Sequence, residues 1–303
     1  MADSINLEMN IKFIHPPTVF CLQLGGWLPP AFMSADVVLV DRNITSLLPS
    51  IDSLSNRKDI EGNKWWFSFL NTPKTKLNPI LCAFEGRNGK VPNFDEFCTE
   101  LNRLSKLMEA SFPDAEIIKF DSKSLPQAYQ LVHDLNDRYN REQSFLMSIA
   151  PLICNTPPKS KLLEIEQKIL SSAQSNSLPN CSLTFIAALS CLYEAPSSKK
   201  EQAGRKILKP TLNYTSKAAH NAISDLRALE LIMCSDGMGL GSPAFCTRDR
   251  YLAYFWCSIQ PSKRIQSAAP GKLSITIKSN LFPRLNEEQL KKLEERIKEQ
   301  QSN

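Results

Sequence analysis

The chain has 303 residues, 42% of them hydrophobic, with 36 Lys and Arg against 31 Asp and Glu for a net charge of +5. That suits one large or two small globular domains with a real core and allows a polyanionic partner without demanding one. The longest apolar runs, 145–154 and 183–193, are too short and interrupted to span a bilayer, and Met1-Ala2-Asp3-Ser4 does not begin a secretory signal, so the expected location is cytoplasmic with no membrane partner.

Along the chain, the first thirty residues are irregular, with Pro16-Pro17, Gly25-Gly26 and Pro29-Pro30 marking turns. Four consecutive aliphatics, Val37 to Val40, predict a strand over 36–40 buried on both faces of a parallel sheet. That strand delivers Asp41 to its C-terminal end. Ile44, Leu47, Leu48 and Ile51 then recur at helical spacing, and Trp65, Trp66, Phe67 and Leu70 form a further apolar segment. Asn78-Pro79 reads as N-cap and first helical position for 80–85, stopped by Gly86; the alternative is a strand over 79–84 with Glu85 at its tip. Asn93 caps a helix through Phe94, Phe97, Leu101, Leu104 and Met108, and 115–120 resembles a strand.

From Leu125 to Tyr193 the periodicity is almost wholly helical, interrupted at Pro157-Pro158 and Pro179, with no solenoid repeat. Lys199-Lys200, Arg205-Lys206 and Lys209 form a basic cluster whose ordinary reading is a solvated loop and helix face. A helix from about 216 to 233 buries Ala219, Ala222, Ile223, Leu226, Leu229 and Ile232 and carries Asp225. Gly237 to Gly241 break it before a strand at Phe245-Cys246-Thr247, which delivers Asp249. Leu273, Ile275 and Ile277 alternate as in a half-buried strand. Asn286 starts a last helix whose narrow stripe of Leu290, Leu293 and Ile297 reads as a surface helix, the alternative being a partner-binding one.

The chemistry rests on carboxylates. Nine cysteines without a CxxC pair read as reduced core residues, and with three histidines far apart in sequence they give zinc and Cys-His catalysis little support. Strand ends converge at one edge of an open α/β sheet, so Asp41 and Asp249 can meet there. Asp225 sits on the helix leading into the second of those strands, and Glu85 beside an apolar segment makes a fourth candidate. Crowded carboxylates repel one another unless a cation neutralises them. Such a group implies Mg²⁺ or Mn²⁺, able to polarise a phosphoryl oxygen and orient an attacking water. Asn43 and Thr247 stand where they can support the acids.

The order strand-Asp-x-Asn (Val37 to Asn43), mid-chain Glu85, the helix Ser224-Asp225-Leu226-Arg227-Ala228-Leu229-Glu230-Leu231, and strand-Thr-x-Asp (Phe245 to Asp249) resembles the PIN-domain nucleases. The 24-residue step from Asp225 to Asp249 is close to the family habit. The match covers about 37–54 and 216–258. The resemblance implies an α/β fold of three α/β/α layers about a central, mostly parallel sheet. The whole chain, 1–303, is then one PIN-like domain with a large helical insertion at about 90–214 and a C-terminal strand-helix extension at about 270–303.

It further implies a Mg²⁺- or Mn²⁺-dependent nuclease acting on RNA or single-stranded nucleic acid, with Asp41, Glu85, Asp225 and Asp249 as metal ligands or water-activating acids and Asn43 and Thr247 behind them. A protein inhibitor or a homo-oligomer fits that class, as do toxin, RNA-processing and anti-phage roles.

Glu142, in Arg141-Glu142-Gln143-Ser144-Phe145, rivals Glu85 for the second acidic position. His220 is a candidate general base beside its ordinary role as a packing residue. Two rival readings stand: a non-catalytic nucleic-acid-binding or protein-interaction protein with a helical working surface, and a metal-dependent phosphatase. The phosphatase would need Asp-x-Asp, where this chain has Asn43.

Overall fold

Val37-Val38-Leu39-Val40 has no polar side to offer solvent, and it lies at the heart of a sheet covered on both faces. The computed structural model describes residues 17–50, 60–133, 136–195, 202–237, 243–261 and 275–299. Its main sheet comprises β1 (Phe20–Gln23), β2 (Gly26–Leu28), β3 (Val37–Val40), β4 (Lys76–Asn78), β5 (Glu116–Ile117) and β6 (Ala244–Thr247), in the order β2-β1-β6-β3-β4-β5. Strands β3 to β6 run parallel, while β1 joins β6 antiparallel and pairs with β2 as a hairpin. The protein is therefore α/β with a mostly parallel sheet. Ile51, Lys199, Lys200, Gly239, Gly241 and Leu273 lie outside the described residues.

Period-two alternation sends the sheet's side chains to two cores. Val38, Val40, Cys21 and Cys246 pack with Ile44 of the short α1 (Arg42–Thr45) under Trp66 and Leu70 of α2 (Ile60–Leu70) and Met108 of α4 (Phe94–Ser111). Leu22, Leu39 and Phe245 face the opposite way, into a larger core with α6 (Asn136–Ile153), α7 (Leu162–Ser175), α8 (Leu183–Leu192), α9 (Ala203–Leu208), α10 (Ser216–Gly237) and α11 (Arg250–Ser258). Three layers result. Between α2 and α4, β4 leads into α3 (Ile80–Glu85).

The helical reading of 80–85 holds, with Pro79 rather than Asn78 at the N-cap because Asn78 ends β4; the Ile80 amide still donates to Asn78 Oδ1 at 3.0 Å, and Gly86 ends the helix at φ +66°, where a side chain would be strained. Asn93 and Glu96 form a reciprocal capping box at the head of α4. The stretch 90–214 is not all helical addition, since α4 and β5 belong to the sheet and its own layers. Its purely helical part runs from α5 (Ser124–His133) through α9.

One expectation needs correction at the N-terminus. The predicted irregular stretch contains the β1-β2 hairpin, turned at Gly25 (φ +94°) and Gly26 (φ +151°). The run Val19 to Leu22 is as long as Val37 to Val40 but is set between the turn signals Pro16-Pro17 and Gly25-Gly26, and its partner β6 lies more than 200 residues away. The cysteines also divide: Cys21, Cys82, Cys191 and Cys246 are buried, whereas Cys181 and Cys234 are exposed.

At the other end, β7 (Ile259–Pro261) pairs with β8 (Ile275–Ile277), and α12 (Glu287–Glu299) buries Leu293 in the larger core. Arg296 anchors α12 through the buried Glu166. Its apolar stripe is used within the chain.

Gly204 shows how tightly the helical layer is packed. A Cβ there would stand 2.5 Å from the Ala187 carbonyl oxygen and 2.8 Å from the Cys191 amide nitrogen. Gly204→Ala gains helix propensity, about 1 kcal/mol, yet overpacking costs roughly 1–3 kcal/mol. The variant should be less stable than the parent in urea denaturation.

Candidate functional site

Strand β3 is followed on one side by β4 and β5, while its other neighbour is β6, so the sheet changes direction between β3 and β6. Ligands of open α/β sheets bind at the strands' carboxyl ends beside such a point. There Asp41, 7% exposed, follows β3, and Thr247 ends β6. Asp41 Oδ2 accepts from Thr247 Oγ1 at 2.5 Å and from Asn43 Nδ2 at 2.6 Å. The same Asn43 amide reaches Thr247 Oγ1 at 2.9 Å, and its Oδ1 accepts the Arg248 amide at 2.9 Å. The Asp41-x-Asn43 and Thr247-x-Asp249 steps are thus one hydrogen-bonded unit.

Asp41, Glu85 and Asp225 line one cavity of about 30 Å³, together with Arg42, Ser224 and Phe245. That exceeds the roughly 10–15 Å³ one water needs and excludes a nucleotide. Glu85 arrives because Cys82 ties α3 to the end of β3, its Sγ donating to the Val40 carbonyl at 2.9 Å. Arg42 provides the local positive charge: its Nε lies 3.2 Å from Glu85, its Nη1 donates to Glu100 at 3.1 Å, and its Nη2 donates to the Cys82 carbonyl. Asp225 differs from the others. Among the described residues no hydrogen bond or ion pair reaches its carboxylate.

Asp249 stands at the edge of this group. Its Oδ1 accepts the Tyr251 and Leu252 amides at 2.8 and 3.1 Å, capping α11, and its charge acts on both Asp41 and Asp225. It does not line the cavity. Among the described residues no three His, Cys, Asp or Glu side chains are arranged to hold a metal ion directly.

The two rival acids and bases are accounted for elsewhere. Glu142 is buried away from the cavity, bound by Arg138 at 3.0 Å and Ser182 at 2.9 Å. His220 lines the cavity, but both ring nitrogens are engaged: Nε2–H donates to the Glu85 carbonyl at 2.7 Å and Nδ1 accepts from the Tyr139 hydroxyl. Burial also holds the imidazole pKa below its usual value, so it serves as a neutral post under α3. Of the basic cluster, Arg205 is locked to Glu194 at 2.7 Å, whereas Lys206 and Lys209 are exposed. Reading along the chain missed two cations of the site, Arg42 and Lys209. Arg42 sat between two candidate residues; nothing in sequence links Lys209 to Asp225.

Burial pushes the Asp41 carboxyl up to about 6 against its hydrogen bonds, and Glu85 to about 7 against Arg42. Asp225 rises well above the ordinary carboxylate range, first by burial and then through Asp41, Asp249 and Glu85. Raised folded-state values mean that stability present at low pH is lost as pH climbs through them. His220 acts oppositely, but only below its unfolded value, about 6.5.

Compared with protein-family models, with curated proteins and with solved structures, the chain matches none.

Between about pH 6.5 and 8 the metal-free protein should therefore lose thermal stability as pH rises, and Asp225→Asn should flatten that slope. Melting temperatures of the two proteins across that range provide the measurement.

Proposed function

We propose that this protein is a metal-dependent nuclease of PIN-like type, hydrolysing phosphodiester bonds of RNA or single-stranded nucleic acid. The observation that carries the reading is Asp225: a carboxylate facing a cavity it shares with Asp41 and Glu85, without a hydrogen bond or ion pair among the described residues. A carboxylate in that position is stabilised by a bound cation. The order in which Asp41, Glu85, Asp225 and Asp249 follow a mostly parallel sheet supports the PIN-like assignment.

The donor set fits Mg²⁺ or Mn²⁺. A hydrated Mg²⁺ keeps several waters and takes only one or two protein carboxylates, so no triad of direct ligands is required. Asp41 and Asp225 would hold it, with Glu85 and the free oxygen of Asp249 receiving its waters. When bound, the ion supplies charge neutralisation at the phosphoryl oxygens and a more acidic water.

The chain's own residues do the rest. Thr247 and Asn43 hold Asp41 Oδ2 and so orient the carboxylate, as the partners of metal-binding carboxylates commonly do. Glu85, held near neutral pKa and restrained by Arg42, would accept a proton from the attacking water. Asn43 is occupied on both ends of its amide and does not replace the nucleophilic aspartate a phosphatase would need.

The cap that Asp249 forms on α11 favours the second reading, an interaction protein whose acids are structural. Cleavage of generic RNA and single-stranded DNA with Mn²⁺, compared between the parent and Asp225→Asn, separates the two. The nuclease reading expects chelator-sensitive activity that falls on the order of 100-fold in the variant; equal rates, or activity surviving chelation, would sink it. Thr247→Val should weaken Mn²⁺ binding about 10- to 100-fold in calorimetry while leaving the fold intact.

A further inference from the structure

Near the acidic cavity lies a group of cations that form no ion pair with a carboxylate among the described residues. Lys206 and Lys209 come from α9 and the turn after it, and Arg248 and Arg250 flank Asp249 at the head of α11, which packs on α9. Among the described residues no carboxylate stands within the 4.0 Å of an ion pair from any of the four. Most arginines of the helical layer, by contrast, are paired: Arg138 with Glu142, Arg205 with Glu194 and Arg296 with Glu166.

Three further observations point to an anionic ligand there. The Arg248 Nε is buried and has no hydrogen-bond partner among the described residues. Lys209 holds a left-handed backbone, φ +48°, at the C-cap of α9, a place where glycine is the unstrained choice. A strained residue kept for its side chain is a mark of function, and the Lys209 charge is felt at Asp225. Tyr251 holds two cations, with the Arg250 guanidinium 4.7 Å and the Lys206 ammonium 5.9 Å from its ring centroid and its hydroxyl accepting from Arg250 Nη2 at 2.7 Å. An aromatic flanked by two charges spaces them without neutralising either.

We infer that Lys206, Lys209, Arg248 and Arg250 form a phosphate-binding rim that holds the backbone of a single-stranded polynucleotide next to the acidic cavity. The cavity admits water or an ion but no nucleotide, so a substrate must lie across its mouth and be held from outside. Asp41 is recessed, 7% exposed, and a flexible single strand can bend one phosphate toward it where a stiff duplex cannot. Rows of phosphates reward spaced, unpaired cations through counterion release. The inference rests on the nuclease reading for its orientation and names the residues that reading leaves unassigned.

The test is fluorescence anisotropy with 5′-fluorescein oligo(U) and oligo(dT) of about 20 nucleotides, in EDTA so that nothing is cleaved, over a range of salt. Lys206→Gln/Lys209→Gln/Arg250→Gln is compared with Lys106→Gln/Lys123→Gln/Lys291→Gln, three exposed lysines elsewhere whose loss changes net charge equally. Circular dichroism checks that both fold. The rim variant should bind about tenfold or more weakly at low salt, its log-log salt slope falling by roughly 0.7 for each phosphate contact removed. The control should bind like the parent.

Equal losses in the two triple variants, or no loss in either, overturn the rim whether or not the parent cleaves. If the rim variant fails to fold, Arg250→Gln alone carries the same comparison against Lys291→Gln. Asp225→Asn should still bind the oligonucleotides; if it also cleaves at the parental rate with Mn²⁺, the metal reading falls and the rim stands. Binding of oligo(U) alone narrows the ligand to RNA, and equal binding of both upholds the shared phosphodiester.

Discussion

Everything at this edge of the protein depends on one buried hydrogen-bonded carboxylate. Asp41 is held by Thr247 and Asn43, and its backbone amide donates to the Cys246 carbonyl at 3.0 Å, so β3 and β6 are joined by main chain and side chain at the same place. A buried carboxylate is costly, and burial outweighs these hydrogen bonds in lifting its pKa. The protein keeps it, and stacks Asp225 and Glu85 around the same small space. Charge crowding of that sort opposes folding, and regions that oppose folding while being elaborately supported are typical of functional sites.

The support comes from both layers. On one side α3 is clamped by Cys82 to β3 and by His220 to α10, which fixes Glu85. On the other, α10 packs on α6 and α8 and brings Asp225 to the cavity wall. Arg42 closes the group, taking Glu85, Glu100 and a carbonyl with one guanidinium, a fork geometry a lysine does not offer. The acidic side of the site is thus rigid and internally balanced, except at Asp225. On the basic side, Lys206, Lys209 and Arg250 are exposed and form no ion pair among the described residues.

Much of this was legible in the sequence wherever a local pattern carried the signal. Val37 to Val40 and Phe245 to Thr247 are short apolar runs ended by a polar step, and both proved to be parallel neighbours delivering Asp41 and Asp249. Asn78 and Gly86 bounded α3 and so placed Glu85. The β1-β2 hairpin was not legible, because the four apolar residues Val19 to Leu22, set between turn signals, do not reveal a partner more than 200 positions away. Nor was the difference between Glu85 and Glu142: both precede or sit within apolar segments, and only packing decides that Glu142 turns to Arg138 and Ser182. Lys209 was read as part of a solvated cluster, since the backbone turn that brings it toward Asp225 leaves no trace in residue type. Asp249 is both a strand-end acid and a helix cap, two readings that sequence cannot separate and that the structure finds together.

The place of β6 has a further consequence. It enters the sheet between β1 and β3, pairing Phe20 with Thr247 and Val38 with Ala244, although both neighbours precede it by some 200 residues. Until it arrives, the sheet has an open slot with unpaired edges on either side, exposed through the synthesis of the whole helical middle. Contacts of such separation form late and leave edges vulnerable to aggregation. The slot is also where Thr247 meets Asp41, so a nascent or truncated chain has a scaffold without the acidic pocket. Completion of the sheet and completion of the site are a single event, which places any activity of this pocket after β6 has been made and seated.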